Sequence, residues 1–323
     1  VYNTDDQVNY FLEGHEAFRA LTQNCAEYLD AGLAILYLRD KGLFIESHHL
    51  LDSTDVRLIR SVLDDFLYDQ VIEANDVQLL HNDDGEIGEP VSVPYRIMAL
   101  PLISFGEHAN GVLLIANLLS NSPFSNSDKN LLSVMSRKAA KIVQGSYDGL
   151  TGLLNRTSFQ TLVDNELEAM RKNGGYGCLL HLNIDQLHRI NETVGHDAGD
   201  MVIRTFAAYI ARELRDGDRL ARLGGDEIGI LIHGCSANKG EKIAKDLAAG
   251  LGELELDWQG ETFRMTAGIG IATLTENSKS GEQVFKNAVV ACDIAKENGV
   301  GLVHSYGGDD TNMRQREASM WMV

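Results

Sequence analysis

Proline is scarce in this 323-residue chain, with Pro90, Pro94, Pro101 and Pro123 the only four and none beyond them. That shift in composition fits two domains of different architecture, joined between Phe124–Asp128 and Gly145–Tyr147. Cysteine is scarce too. Cys25, Cys178, Cys235 and Cys292 are too far apart for a metal knuckle or a disulfide framework, and they are best read as buried thiols in a reducing cytoplasm. Basic residues are outnumbered, 28 to 47, and the net charge of −19 argues against a nucleic-acid polymer as partner. It leaves room for a nucleotide, because a divalent cation can supply local positive charge. No apolar run is long enough for a membrane span; Gly111–Ala116 suits a buried strand better. No signal peptide is present, which points to the cytoplasm. The start at Val1 and the stop at Trp321-Met-Val323 suggest a piece of a larger protein, whose parent could still be membrane-anchored.

What the chain does have is a hairpin with chemistry at its tip. In Asp218-Arg-Leu-Ala-Arg-Leu-Gly-Gly-Asp-Glu-Ile-Gly-Ile-Leu-Ile-His233, apolar strand residues flank Gly224-Gly225, where φ can be positive. Asp226 and Glu227 follow the turn. Adjacent carboxylates resist joint ionisation unless a cation neutralises them, and glycine lets a phosphate approach the backbone. Four residues alone would equally suit an ordinary exposed turn.

The first half predicts a helix over about Asp5–Ala31, a strand over Leu33–Arg39 and a turn at Asp40–Gly42. Val56, Ile59, Val62, Leu63, Phe66 and Leu67 recur at helical spacing. Tyr95–Ile103 and Gly111–Leu118 are expected to form a hairpin through the turn Phe105–Asn110. A helix over Lys129–Val143, capped by Ser125 or Ser127, follows. His48, His49 and His81 are best explained as exposed or satisfied histidines, since neighbours on a strand face opposite ways. The acidic run Asn82–Glu86 lacks the glutamate that closes a calcium loop and is best explained as a solvated loop. The hairpin, the Phe-x-x-x-Asp segment Phe124–Asp128 and the long helix resemble a GAF sensory domain, with a PAS domain as the rival reading.

Further motifs surround the acidic hairpin: Asp148-Gly-Leu-Thr-Gly-Leu-Leu-Asn-Arg156, Asn183-Ile-Asp-Gln-Leu-His-Arg-Ile-Asn191, Gly195-His-Asp-Ala-Gly-Asp200 and Ala295-Lys-Glu-Asn-Gly299. In order and spacing they resemble the GGDEF domain of diguanylate cyclases over roughly residues 147–306. The resemblance implies an α+β fold with a central antiparallel sheet flanked by helices, as in nucleotidyl cyclases and polymerase palms. It implies condensation of two GTP to cyclic di-GMP with Mg²⁺ or Mn²⁺, on two domains face to face. It assigns metal binding to Asn183, the carbonyl of Ile184, Asp226 and Glu227. Asp226 and Glu227 become the catalytic carboxylates, with Glu227 also activating the attacking hydroxyl. Asn191 and Asp200 would read the guanine edge, while Gly225 and Lys296 would serve the phosphates. Without the resemblance, Asn191 is a helix-interior polar residue and Asp200 a helix N-cap.

Several positions depart from the family pattern. Asn183 stands where the family has Asp, and Val300 where it has Arg. Leu187-His188 replaces Phe-Lys, and Ile228 replaces the hairpin's final Phe. Asn ligates Mg²⁺ without charge, so catalysis is expected to be weakened or conditional. Asp185, two residues on, faces the same side of the strand, but the family normally keeps an acidic residue at both places, so compensation would require rearrangement. Arg215-Asp-Gly-Asp218 matches the inhibitory Arg-x-x-Asp site for cyclic di-GMP; the plain reading is a surface ion pair. Gly299–Tyr306 is expected to be a last strand, and the tail resembles a connector into an EAL phosphodiesterase domain.

The expectation is therefore a GAF-like sensor with its signalling helix over 1–146, a GGDEF domain over 147–306 and a tail over 307–323, forming a homodimer. The alternative is a regulatory module that binds GTP or cyclic di-GMP without turnover and controls an EAL domain in the parent chain.

Overall fold

The computed structural model describes residues 12–48, 51–80, 93–104, 109–215, 217–258 and 260–307. His49, His81, the acidic run 82–86, the turn at 105–108 and the tail from 308 lie outside the described residues. The described chain forms two compact units, one ending at Ser146 and the other starting at Tyr147.

The first unit runs α1 (Leu12–Tyr28), β1 (Leu33–Leu38), β2 (Leu43–His48), α2 (Ser53–Val62), α3 (Tyr68–Ala74), β3 (Gln78–Leu80), β4 (Tyr95–Leu102), β5 (Gly111–Leu118) and α4 (Asn126–Ser146). The strands pair antiparallel in the order β2-β1-β5-β4-β3. Every residue of β1 is buried, because helices cover both faces of the sheet. Leu33, Ile35 and Tyr37 pack with Val56, Ile59, Leu63 and Leu67 on one face. The alternate residues Ala34, Leu36 and Leu38 point the other way, and α1 and α4 pack on each other and on this sheet.

Two helices depart from their predicted outlines. The amphipathic stretch is one long helical run whose middle, Leu63–Leu67, widens into a π turn between α2 and α3. Asp52 caps it with a reciprocal Asp52–Asp55 box, and Asn75 ends it in the left-handed region. Helix α4 extends beyond 129–143 at both ends. Ser125 caps it: its hydroxyl accepts from the Asp128 amide at 3.3 Å, and its own amide donates to the Asp128 carboxylate at 2.7 Å.

The second unit runs β6 (Leu154–Asn155), α5 (Arg156–Asn173), β7 (Tyr176–Ile184), α6 (Leu187–Val194), α7 (His196–Glu213), β8 (Arg219–Gly224), β9 (Glu227–His233), α8 (Ala237–Gly252), β10 (Glu255–Trp258), β11 (Glu261–Arg264), β12 (Ala267–Thr275), α9 (Gly281–Asn298) and β13 (Val303–Ser305). Its main sheet has the order β13-β12-β7-β9-β8-β6. The centre of the sheet is antiparallel, as expected, over its four inner strands, and the sheet is mixed at its edges, where β13 joins β12, and β6 joins β8, in parallel. Residues Cys178, Leu180, Leu182 and Ile184 of β7 face α7 and α8 in one core with Val202, Phe206, Ala244 and Leu247. His181 and Asn183 therefore point to the opposite face. There α9 lies so close to β12 that a Cβ on Gly270 would sit 2.1 Å from backbone atoms of Ala288 and Cys292. All four cysteines are free and buried, as expected, and burial pushes the thiols of Cys25, Cys178 and Cys292 up to about 12. Among the described residues no helix is long and apolar enough to cross a membrane.

Candidate functional site

The acidic turn forms where β8 meets β9. Gly224 (φ 135°) and Gly225 (φ 50°) take backbone conformations that side chains disfavour, and no atom lies within 4 Å of the Cβ either glycine lacks. Gly224 pairs with Glu227, leaving Gly225 and Asp226 at the tip. A register shift between Arg222 and Gly224 makes Leu223 the extra residue of a bulge, which re-aims the tip. Arg222 fastens the turn from below: it donates to the Gly225 carbonyl at 3.0 Å and pairs with Asp148 at 3.2 Å. Burial pushes the Asp148 carboxyl up, but hydrogen bonds from Thr151 and the Arg222 charge prevail and hold it below the usual range.

The strand β7 brings its end alongside. Asn183 stands opposite Glu227 on one side and Gly268 on the other. The amide of Ile184 donates to the Asp226 carbonyl at 3.0 Å, so the backbone of the acidic tip is tied to the predicted metal strand. Asn183, Ile184, Asp226 and Glu227 are thus brought together.

Cationic side chains already attend these groups. Arg156, at the start of α5, binds Glu227 at 2.5 Å and is itself positioned by the Leu223 carbonyl at 2.7 Å. The buried ring of His181 lies 3.7 Å from the same carboxylate, which is longer than a hydrogen bond. His181 first, and Arg156 after it, hold the Glu227 carboxyl below its ordinary value against the opposing effect of burial. Lys296, from the last turn of α9, donates to the Asn183 side-chain oxygen. The lysine stem crosses the sheet over Gly268, where a Cβ would come 2.3 Å from Lys296 Cγ.

Asp185 does not turn toward this centre. Its carboxylate is buried, accepting from Thr266 at 2.7 Å and from the Gly301 amide at 3.0 Å, with Lys296 at 4.0 Å. It anchors the β7 end to the loop before β13. The GGDEF-type metal needs anionic oxygens free to face it. Here the first donor is a neutral amide bonded to an ammonium, and Glu227 is engaged by a guanidinium. Among the described residues no three His, Cys, Asp or Glu side chains gather to hold a metal ion. The donor set as it stands does not fit Mg²⁺.

A second cluster lies where α6 meets α7. The Asn191 side chain packs on Gly199, and its Oδ1 is buried without a hydrogen-bond partner. Asp200, the next residue, lies within α7 rather than at its N-cap; the helix begins at His196. Its carboxylate is half-exposed, with Arg204 at 4.0 Å. Val300 is exposed and lines a cleft of about 470 Å³ with Asp185, Gln186, Arg189 and Arg264. Arg215 binds Asp218 at 3.0 Å and also donates to the His233 carbonyl; the Asp218 side chain is almost buried. The two form an ion pair within one turn just before β8.

Family comparison decides what this arrangement belongs to. Residues 145–301 match "Diguanylate cyclase, GGDEF domain", and residues 13–143 match "GAF domain". The chain is a GAF domain followed by a GGDEF diguanylate cyclase domain. It is 35% identical over 152 residues to diguanylate cyclase DgcP of Pseudomonas aeruginosa, covering 47% of this chain and 22% of that one. It is 34% identical over 154 residues to cyclic di-GMP phosphodiesterase NbdA of the same organism, covering 47% and 19%. The chain thus spans about a fifth of the length of these relatives. In fold it is similar to the coiled coil and GGDEF domain of DgcB from Caulobacter crescentus in complex with c-di-GMP. That likeness has a TM-score of 0.53 at 24% identity, covering 56% of this chain and 95% of that one. GGDEF domains serve cyclic di-GMP signalling, bind GTP and cyclic di-GMP, and typically use Mg²⁺.

The residues missed by sequence reasoning around this GGDEF centre are Arg156, His181, Gly199 and Gly268. Arg156 and Gly199 lie inside quoted motifs, so their positions were available. Nothing local marks His181 or Gly268.

Proposed function

We propose that the GGDEF domain binds GTP, with guanine held by Asn191 and Asp200, and condenses two GTP to cyclic di-GMP with weakened turnover. The observation carrying this reading is the Asn191 oxygen. A buried amide oxygen without a donor in the protein suits a ligand that brings one. The guanine edge offers its N1–H and exocyclic amine, and the Asp200 carboxylate beside it is an acceptor for the same groups. Gly225 leaves space for phosphate at the hairpin tip, and Asp226 and Glu227 are the catalytic carboxylates of the reading. Weakening is expected at Asn183, which lacks the charge of Asp, and at Val300, which lacks the cation of Arg. Two such domains, in a homodimer, supply the two GTP.

A second reading is a regulatory module that binds GTP or cyclic di-GMP without turnover and acts on an EAL phosphodiesterase domain of a longer chain. The bond between Lys296 and Asn183 favours it, as does near-equal identity to a protein named a cyclase and one named a phosphodiesterase. Incubating the protein with GTP and Mg²⁺ or Mn²⁺, then separating the nucleotides by chromatography, divides the two. Cyclic di-GMP as product supports the first. GTP recovered unchanged from a protein that binds GTP or cyclic di-GMP supports the second, and absence of binding to both nucleotides overturns both.

A further inference from the structure

The misfit between donor set and metal has a second side, which concerns the lysine. Asn183 and Lys296 are on different elements, and their meeting depends on Gly268. The three residues line up across β7, β12 and α9: Asn183 pairs with Gly268 in the sheet, and the Lys296 stem lies over the missing side chain. An Asn oxygen accepts from an ammonium without neutralising its charge. Asn183 thus fixes the position of the Lys296 ammonium, with the Asp185 carboxylate 4.0 Å away. An Asp at 183 would have paired with that charge. On the other flank, Arg156 covers Glu227 at 2.5 Å. Protein cations thus stand on both sides of the acidic tip, close to the strand end where a divalent ion would otherwise gather phosphate oxygens.

We propose that Lys296, held by Asn183 over Gly268, is a built-in cation for the phosphates of GTP, so that this domain binds GTP without a divalent metal. An ammonium is a point charge that suits phosphate oxygens, and fixing it beforehand removes an ordering cost from binding. This deepens the GTP-binding reading above and depends on it. Binding and turnover separate here: the lysine neutralises charge for binding but does nothing to make a 3′-hydroxyl more acidic.

The test is calorimetric titration of the full chain with GTP, in EDTA and in excess Mg²⁺, alongside Lys296→Met, Lys296→Arg, Asn183→Asp and Asp200→Ala, each checked for a wild-type thermal unfolding transition. The expected result is GTP affinity in EDTA within about threefold of that in Mg²⁺, since the charge is supplied by the protein. Lys296→Met should lose roughly 10- to 100-fold in EDTA, the range for a hydrogen bond to a charged group, and Lys296→Arg should retain binding. Asn183→Asp should make binding metal-dependent, because the new carboxylate pairs with Lys296 until a cation takes it. Wild-type binding that disappears in EDTA and returns with Mg²⁺ overturns the proposal but leaves the GTP reading intact. So does full EDTA affinity in Lys296→Met. No GTP binding in either buffer, or binding indifferent to Asp200→Ala in both, overturns the GTP reading and the proposal with it.

Discussion

A methyl group on Gly199 would sit 1.9 Å from Oδ1 of Asn191. The two helices α6 and α7 meet closely enough there that the Asn191 amide occupies the space of the missing side chain, one residue before Asp200. Gly199→Ala should therefore displace the amide and weaken GTP binding by about 1–2 kcal/mol, near the value of one lost hydrogen bond. Asp200→Ala should cost about 1.5–3 kcal/mol, since it removes a charged acceptor. Calorimetry with GTP checks both. Wild-type affinity in the two variants together would mean that guanine is not read here.

Asn183→Asp restores an anionic oxygen opposite Glu227. Cyclic di-GMP formation in Mg²⁺ should rise, or appear where wild type makes none, as read by nucleotide chromatography. If product is unchanged while GTP still binds, the block lies elsewhere, and Val300→Arg in the same background is the variant that distinguishes it.

Local pattern made the outline of both domains legible, and long-range contacts made the rest illegible. The strand Gly111–Leu118 and the turn at Gly224-Gly225 follow from short-range rules, since β-strands alternate and glycine admits positive φ. The π turn was hidden because Val62, Leu63, Phe66 and Leu67 keep helical spacing through it. The parallel edges were hidden because β6 has two residues and β13 three, too short to carry a period. At the site, Arg156 reaches Glu227 across 71 positions and Lys296 reaches Asn183 across 113. Asp185 was expected on the face of Asn183, but its carboxylate is buried against Thr266 and Gly301, which depends on where the chain returns after α9. No spacing rule in the sequence encodes that return.

Arg215 and Asp218 are proposed to bind cyclic di-GMP. Because Arg215 holds Asp218 at 3.0 Å, the dinucleotide must exchange with that pair. Titration of wild type should show binding that Arg215→Ala loses. Equal binding by both, or none by wild type, would leave the pair as a surface ion pair that closes the turn before β8.

Acid should act on the opening of the GGDEF domain through Asp148. Its carboxyl lies below the ordinary 3.8 in the folded state: burial opposes this, but Thr151 and Arg222 outweigh it. A depressed folded-state value means that the stabilisation is complete above the unfolded value and is lost as pH falls through the folded one. Asp148→Asn should thus lower the unfolding temperature at pH 7, and its gap from wild type should narrow as pH falls from about 3.8 through the depressed folded value, below which both carry a neutral group. The variant loses the ion pair to Arg222, so the hairpin tip should loosen as well. Parallel melting curves at every pH would show that the pair contributes nothing.

Helix α4 is the device proposed to join sensing to output. It runs unbroken from Asn126 to Ser146, and Tyr147 begins the GGDEF unit with no Pro- or Gly-rich linker between. Leu132, Met135, Ala139 and Val143 bury one face, while Val134 is exposed on another. A stiff connection transmits rotation or displacement, whereas a flexible one absorbs it. We therefore expect a homodimer through the GAF domain and α4, with the sensor's state setting whether two GGDEF sites face each other. A Gly-Ser stretch inserted between Gln144 and Tyr147 should leave both domains folded and GTP binding unchanged. It should abolish any dependence of product formation on the state of the GAF domain, because each GGDEF domain would then turn freely on its tether. Light scattering at high protein concentration with GTP present reads the dimer directly. A monomer under those conditions, or an inserted chain whose output still follows the sensor, would sink the coupling scheme.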